Sequence, residues 1–589
     1  MKLLIFFYLV IANISNNGKA SLESFSPNDN VLFTDTTKSS DKSCHRPCKF
    51  NVKPRQCYFS FDVGPVIDDE RPALAINGLT PGPSLHVCLH DIIIVQVRNR
   101  IPDQDLSIHW NGLEQRGTPY MDGVPMITQC SIAYGSTYKY SFRASEPATF
   151  FYHADSVSQQ SDGVYGSLIV DQPQPLEPHS SLYDYDRSKE HTLIFGARFP
   201  ELISGSLDTF GDVKPNGVLI NGKDSAKLFV IPSYSYRLRF INAIAVECPL
   251  VVGISEHLVT VVATDGKPVQ PIITEAVKLY PGERMDVVVR ADRHRSGYWL
   301  QVKGEGVCAQ LSARAMFIYS GFNYTSLIDY QPNSKFNIED SSTVKGQDLL
   351  SYKQVPPFKN VRSVYLGIDK NMIEFKESDN DFRYVSDVVP KKPFFPAALS
   401  LQNGVVQING KNFLFPDVPY LLKPREVRSE LVCEVGNEKM QRDPQCLQLL
   451  TANVNEVLEL ILVNEGAGSN DTYTFHMHGY AMQVLATWQS PAGLPLSRTE
   501  FEKLDKEGLI DRNLQNPPVK NSVMVPNKGF TIVRINPEYG GSWMFECRSC
   551  ALSSLPVAIL ISVPQPIPKI VVDSLPTCAS YRPADVLLN

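Results

Sequence analysis

Ile76-Asn77-Gly78, Ile220-Asn221-Gly222 and Ile408-Asn409-Gly410 are three copies of one turn, spread through a chain of 589 residues. Asn-Gly after a β-branched residue signals a tight turn closing a strand, because both residues accept the left-handed backbone. Each copy is followed by an apolar strand ending in Asn: Ile92 to Asn99, Tyr236 to Asn242, and Val457 to Asn464. The third of these follows an insertion carrying Cys433 and Cys446. Each copy later shows an aromatic strand (Phe150-Phe151-Tyr152, Tyr298-Trp299-Leu300, Trp543-Met544-Phe545), then a β-branched one (Leu168-Ile169-Val170, Met316-Phe317-Ile318, Ala558-Ile559-Leu560-Ile561). Short strands between turn signals, with almost no helical periodicity, predict β-sandwiches. A solenoid would repeat at a much shorter period. The expected architecture is all-β, with three tandem sandwiches over 44–175, 176–326 and 397–589, the last including a C-terminal tail. The stretch 327–396 is richer in charge and reads as a linker.

Composition narrows the class. At 589 residues and 43% apolar content the chain is too long for one core and too apolar for wholesale disorder. Its 56 Lys+Arg against 62 Asp+Glu give a net charge of −6. That is not the basic footprint of a nucleic-acid binder or a membrane-surface protein. Met1 to Ala20 has the build of a signal peptide: Lys2, then the uncharged run Leu3 to Ala12, then small and polar residues with Gly18 and Ala20 at cleavage positions. The apolar run is too short to span a bilayer. Residues 21–43 form an N-terminal extension. The later apolar run from Leu555 to Val572 is broken by Pro556, Pro564, Pro566 and Pro568, so no membrane span is expected. Twelve cysteines in a secreted, extracellular chain favour disulfides. Asn323-Tyr324-Thr325 and Asn470-Asp471-Thr472 are glycosylation sequons.

The stretch richest in chemistry is His109-Trp110-Asn111-Gly112-Leu113, continuing through Gln115-Arg116-Gly117-Thr118-Pro119-Tyr120-Met121-Asp122-Gly123-Val124-Pro125 to Thr128-Gln129-Cys130. Three further segments follow in order: Tyr152-His153-Ala154-Asp155, Phe475-His476-Met477-His478-Gly479, and Trp543 to Val557 around Cys547. Together they resemble the copper motifs of the multicopper oxidase family, of the insect laccase type, and cover essentially the whole mature chain. Cys44, Cys48 and Cys57 are similar to the N-terminal cysteine region of insect laccases. The resemblance implies three cupredoxin domains with a trinuclear copper cluster between the first and third. It also implies the pair Cys130–Cys578, with Cys248–Cys308 and Cys433–Cys446 as pairs within domains. Cys44, Cys48, Cys57 and Cys88 would form two more bridges of open connectivity.

Against the family pattern the ligands are depleted. Active members use ten histidines and one cysteine for four coppers, whereas this chain has 11 histidines in all, seven of them (His45, His86, His90, His179, His191, His257, His294) outside the motifs. The type 1 positions hold Tyr473, Cys547 and Leu552, with Val557 where an axial ligand sits; a phenol and an isobutyl group do not replace two imidazoles. One type 3 set matches Asn111, His153 and Arg548, and the other matches Asp155, His478 and Glu546. Arg548 has no lone pair to donate and carries a fixed charge. Both type 2 histidines, His109 and His476, remain.

Two readings follow. In the favoured one the protein resembles the insect multicopper oxidase-related proteins, a ligand-depleted branch, and is an inactive pseudo-oxidase with a binding or structural role. Its residual histidines are then relics hydrogen-bonded in a polar cavity, and Arg548 pairs with Asp155 and Glu546 to cement domains one and three. The alternative keeps a copper-dependent oxidoreductase acting on diphenols or metal ions through one mononuclear site at His109 and His476, with His153 and His478 nearby. Four coppers are not expected; none, or a single copper or zinc ion, is. The partner is an unidentified extracellular protein or a phenolic ligand held without turnover. Cys547 and Cys550 read as buried thiols or a local disulfide rather than a thiol catalyst, since no βαβ pattern surrounds them.

Overall fold

In a computed structural model the described residues run from Cys44 to Cys578, apart from 205–213, 323–336, most of 372–404, 437–444, 466–471, 551–555 and a few shorter gaps. The signal segment, the N-terminal extension, both sequon asparagines (Asn323 and Asn470) and Leu552 lie outside the described residues.

The described chain forms three β-sandwiches. The first packs a sheet of the strands 71–76, 56–68, 92–99 and 137–143 on one of 85–88, 165–171, 148–154 and 108–111. The second and third are larger, each built around two main sheets of six or seven strands. In every copy the first strand pairs in parallel with the strand that ends in Asn: Val63 opposite Asn99, Phe195 opposite Asn242, Ile368 opposite Asn464.

The Ile-Asn-Gly turns explain why the motif recurs. Asn77, Asn221 and Asn409 have φ of 55°, 51° and 53°, and the glycines after them 74°, 78° and 73°, the doubly left-handed turn that matches strand twist. Each asparagine side chain then reaches back to the first strand of its own sandwich. Asn77 accepts from Asp62 N–H and donates to Ser60 O; Asn221 does the same with Ile194 and Thr192, and Asn409 with Gly367 and Tyr365. One residue type thus sets both the turn and the strand order.

The linker expectation for 327–396 needs correction. Thr343–Lys345 pairs with Ala276–Leu279 of the second sandwich, and Val361–Asn371 is the first strand of the third. Val364, Leu366 and Ile368 alternate into the third core, a period-2 pattern that the flanking charges obscure.

Each sandwich has its own apolar core. A separate seam joins the first and third: Val124 and Ile127 pack against Phe413, Leu447, Met544 and Leu560. Cys130–Cys578 ties the same two parts across 448 residues of sequence. All twelve cysteines are paired, the others as Cys44–Cys57, Cys48–Cys88, Cys248–Cys308, Cys433–Cys446 and Cys547–Cys550. Among the described residues no helix is long and apolar enough to cross a membrane.

Candidate metal centre

Strand parity builds the site. Ile108 and Trp110 enter the first core, so His109 and Asn111 face the other way, and the antiparallel register sets His153 directly opposite His109. In the third sandwich Phe475, Met477, Phe545 and Cys547 enter the core. Thr474, His476 and His478 therefore face the first sandwich, with Glu546 opposite His476. The seam closes these two faces on each other, and all four motif histidines are at most 3% exposed.

Their ring nitrogens are used in order. His109 Nδ1 lies 2.9 Å from Asp122 O, a carbonyl that only accepts, so the proton sits on Nδ1 and Nε2 carries the lone pair. That lone pair faces His476 Nε2 at 3.3 Å, leaving His476 Nδ1 to accept from Ser522 Oγ at 3.1 Å. His478 is held by carboxylates on both sides, Asp122 Oδ2 at 2.8 Å on Nδ1 and Glu546 Oε1 at 3.3 Å on Nε2. Burial works against a charged His478, but the two carboxylates outweigh it and push its pKa up to about 10. Burial, followed by neighbouring positive charge, holds His153 and His476 well below the usual imidazole value.

Arg548 is turned inward and 7% exposed. It donates to Glu546 Oε1 at 2.8 Å, to Gln160 Oε1 at 2.7 Å and to the main-chain carbonyl of Asp155 at 3.2 Å, with His153 Nδ1 at 3.5 Å. The expected pairing with Glu546 is present. The expected one with the Asp155 carboxylate is replaced by its backbone oxygen, because Gln160 takes the second arm of the guanidinium. Burial and the nearby Glu546 charge raise Asp155 to about 7, while Arg548 and His478 hold Glu546 well below the carboxylate range in spite of burial.

Cys547, one residue along, points to the opposite side of its strand and is bonded to Cys550 within the third core. Tyr473 and Val557 are buried in that same core, away from the histidines.

Four contributors were not singled out from the sequence. Asp122 is fully buried and touches two of the histidines, and its place inside the quoted loop was the available signal. Gln160 and Ser522 carry no motif. Arg284, from the second sandwich, donates to Asn111 Oδ1 at 2.9 Å and to Asn521 Oδ1 at 3.0 Å, so one side chain holds all three sandwiches at the site. Asn111, His153, Thr474, His476, Gly282 and Arg548 line a small cavity there. Ligand atoms of His109, His476 and His478 lie within 4.8 Å of one another, the one group of metal-binding type among the described residues.

Comparison with known proteins agrees with this architecture. Sequence models described as multicopper oxidase match residues 63–175, 197–322 and 416–550. L-ascorbate oxidase of Cucurbita pepo var. melopepo is 28% identical over 528 residues, covering 82% of this chain and 89% of that protein. Laccase-2 of Botryotinia fuckeliana is 24% identical over 519 residues, covering 84% and 79%. Among solved structures, Fet3p, titled a multicopper oxidase that functions in iron import, superposes with a TM-score of 0.68 at 20% identity, over 86% of this chain and 90% of that one. The laccase of Botrytis aclada gives 0.68 at 20% identity over 90% and 92%. With three consecutive domains matched and the three cupredoxin-like sandwiches in place, this chain belongs to the multicopper oxidase family.

Proposed function

We propose that this member is a secreted pseudo-oxidase that has lost the ligands for four-copper chemistry and works as an extracellular binding or structural protein. The observation that carries the reading is the position of Arg548. A fixed cation without a lone pair bridges Gln160, Glu546 and the main-chain oxygen of Asp155, where a metal would need donors. The residues present do not fit a full copper complement. Asn111 Oδ1 is committed to Arg284 and both nitrogens of His478 are committed to carboxylates. Cys547 shares its sulfur with Cys550, leaving no thiolate for a type 1 ion, and Tyr473 stands where an imidazole is needed. Secretion is supported by the leader-like start and by six disulfides; glycosylation at Asn323 and Asn470 would accompany it. The partner in this reading is an extracellular protein or a phenolic ligand.

A second reading, a copper-dependent oxidoreductase acting on diphenols or metal ions through one residual site, is favoured by one distance. The Nε2 atoms of His109 and His476 are 3.3 Å apart, the spacing two imidazoles take on one tetrahedral ion with bonds of about 2.0–2.1 Å. Plasma mass spectrometry of the secreted protein after copper loading and desalting separates the readings. The first expects copper, zinc and manganese all well below one per chain. One metal per chain, lost in His109→Ala or His476→Ala, would establish the second, and four coppers would overturn both.

A further inference from the structure

The turn joining the strands Arg284–Arg290 and Gly297–Gly304 reads Arg290-Ala291-Asp292-Arg293-His294-Arg295-Ser296, on a chain whose net charge is −6. Arg290, Arg293, His294 and Arg295 are all exposed, while Ala291 between them is buried. The nearby acids are Asp292, 3.6 Å from Arg293, Glu256, and exposed Asp184, which accepts from the N–H of Ser235, the residue opposite Arg290 in the sheet. Among the described residues Arg290 and Arg295 have no ion-pair partner. Three guanidinium groups and an imidazole therefore meet solvent against three carboxylates.

The backbone under them is pinned. Arg293 N–H donates to Tyr319 Oη at 3.0 Å, and the same hydroxyl lies 2.7 Å from buried His257 Nε2. Tyr298 Oη–H donates to His294 O at 2.9 Å. Ala291 N–H donates to Tyr234 O at 2.8 Å and Tyr319 N–H to Ser296 O at 3.1 Å. A turn held at four points presents its side chains with little backbone entropy left to lose on binding.

We propose that this turn is a docking site for a sulfated polysaccharide. Guanidinium groups pair with sulfate oxygens through two parallel N–H donors, and three of them on one pinned turn suit a polymer carrying anions at short intervals. The turn itself carries no exposed apolar side chain, and the exposed Tyr234 and Leu258 beside it make a lipid surface the competing outcome of the test. The net charge of −6 works against general polyanion binding, so contact needs a local basic group such as this turn.

The test is heparin binding by the full-length protein over a series of NaCl concentrations, compared with Arg290→Ser/Arg293→Ser/Arg295→Ser. Lys423→Ser/Arg425→Ser/Arg428→Ser serves as the control, removing equal charge from exposed positions on the third sandwich. The turn variant should lose at least about tenfold in affinity, with the slope of log K against log salt falling by about 2, at roughly 0.7–0.9 per lost contact. The control should bind like the parent. Equal losses in both variants, no heparin binding by the parent, or binding only to phosphatidylserine vesicles would overturn the proposal. Should the triple variant fail to fold, Arg293→Ser/Arg295→Ser carries the same comparison. The outcome is independent of metal content, so it leaves the pseudo-oxidase reading to its own test.

Discussion

Replacing Arg548 with methionine keeps an unbranched stem and removes the guanidinium with its charge and all its donors. Bonds of 2.8 Å to Glu546, 2.7 Å to Gln160 and 3.2 Å to Asp155 O are lost together. Glu546 is left with His478 alone, at 3.3 Å. Breaking a buried pair from one side costs about 3–5 kcal/mol when the remaining charge is uncompensated, and here Glu546 keeps only the longer contact to His478. The Glu546 side chain keeps 19% of its surface, which places this site toward the lower end. For a cooperative unit the size of the third sandwich, about 3 kcal/mol lowers Tm by about 6–12 °C. Differential scanning calorimetry of Arg548→Met, Glu546→Gln and the double variant measures it. The double variant should recover more than half of the Arg548→Met loss, since no lone carboxylate remains and the two changes share one interaction. Arg548→Lys should fall between, keeping the charge without the two-armed geometry. A Tm for Arg548→Met within 1 °C of the parent (roughly 0.3 kcal/mol on the same scale) would refute the claim that Arg548 joins the first and third sandwiches, and strict additivity in the cycle would refute its coupling to Glu546.

Three further outcomes are expected. His257, His153 and His476 are held below the ordinary imidazole pKa, first by burial, so their stabilising contribution is complete above about pH 6.5 and is lost as pH falls. His478 has the opposite sign, contributing fully below about 6.5 and losing it as pH rises through about 10; Tm should therefore be highest near about pH 6.5 and fall on both sides, and a flat profile from pH 5 to 7 would contradict the acid limb. Arg284→Met removes the bonds to Asn111, Asn521 and Thr149 O and should cost about 3–5 kcal/mol in a denaturation series, although no copper ligand is touched. Gly123→Ala puts a Cβ 1.9 Å from Ile108 O at φ +94° and should lower soluble yield sharply, at about 3 kcal/mol or more, whereas Gly117→Ala, at φ +79° with open space around it, should cost only about 1 kcal/mol.

The three sandwiches were legible because their signals are local. An Asn-Gly turn, an apolar strand ending in Asn and an aromatic strand each act within a few residues, so they survive in the sequence alone. The first strand of the third sandwich was not legible: Val361–Asn371 alternates correctly but is flanked by charge and separated from its partner Val457–Asn464 by many residues. Its own alternation is hidden by the charged flanks, and pairing at that distance leaves no local trace.

The site divides in the same way. The sequence alone identified which residue types stand in the copper motifs: His109, His153, His476 and His478 retained, Asn111, Asp155, Glu546 and Arg548 in place of others. Strand parity then determined that Glu546 and Arg548 share a face while Cys547 takes the other. What those side chains bond to was decided only by tertiary structure. Arg548 chooses Gln160 and a main-chain oxygen over the Asp155 carboxylate, Asp122 sits between two histidines, and Arg284 arrives from the second sandwich. Hydrogen bonds and ion pairs depend on distances of about 3 Å between groups up to hundreds of residues apart. Only the docking of the three sandwiches sets those distances.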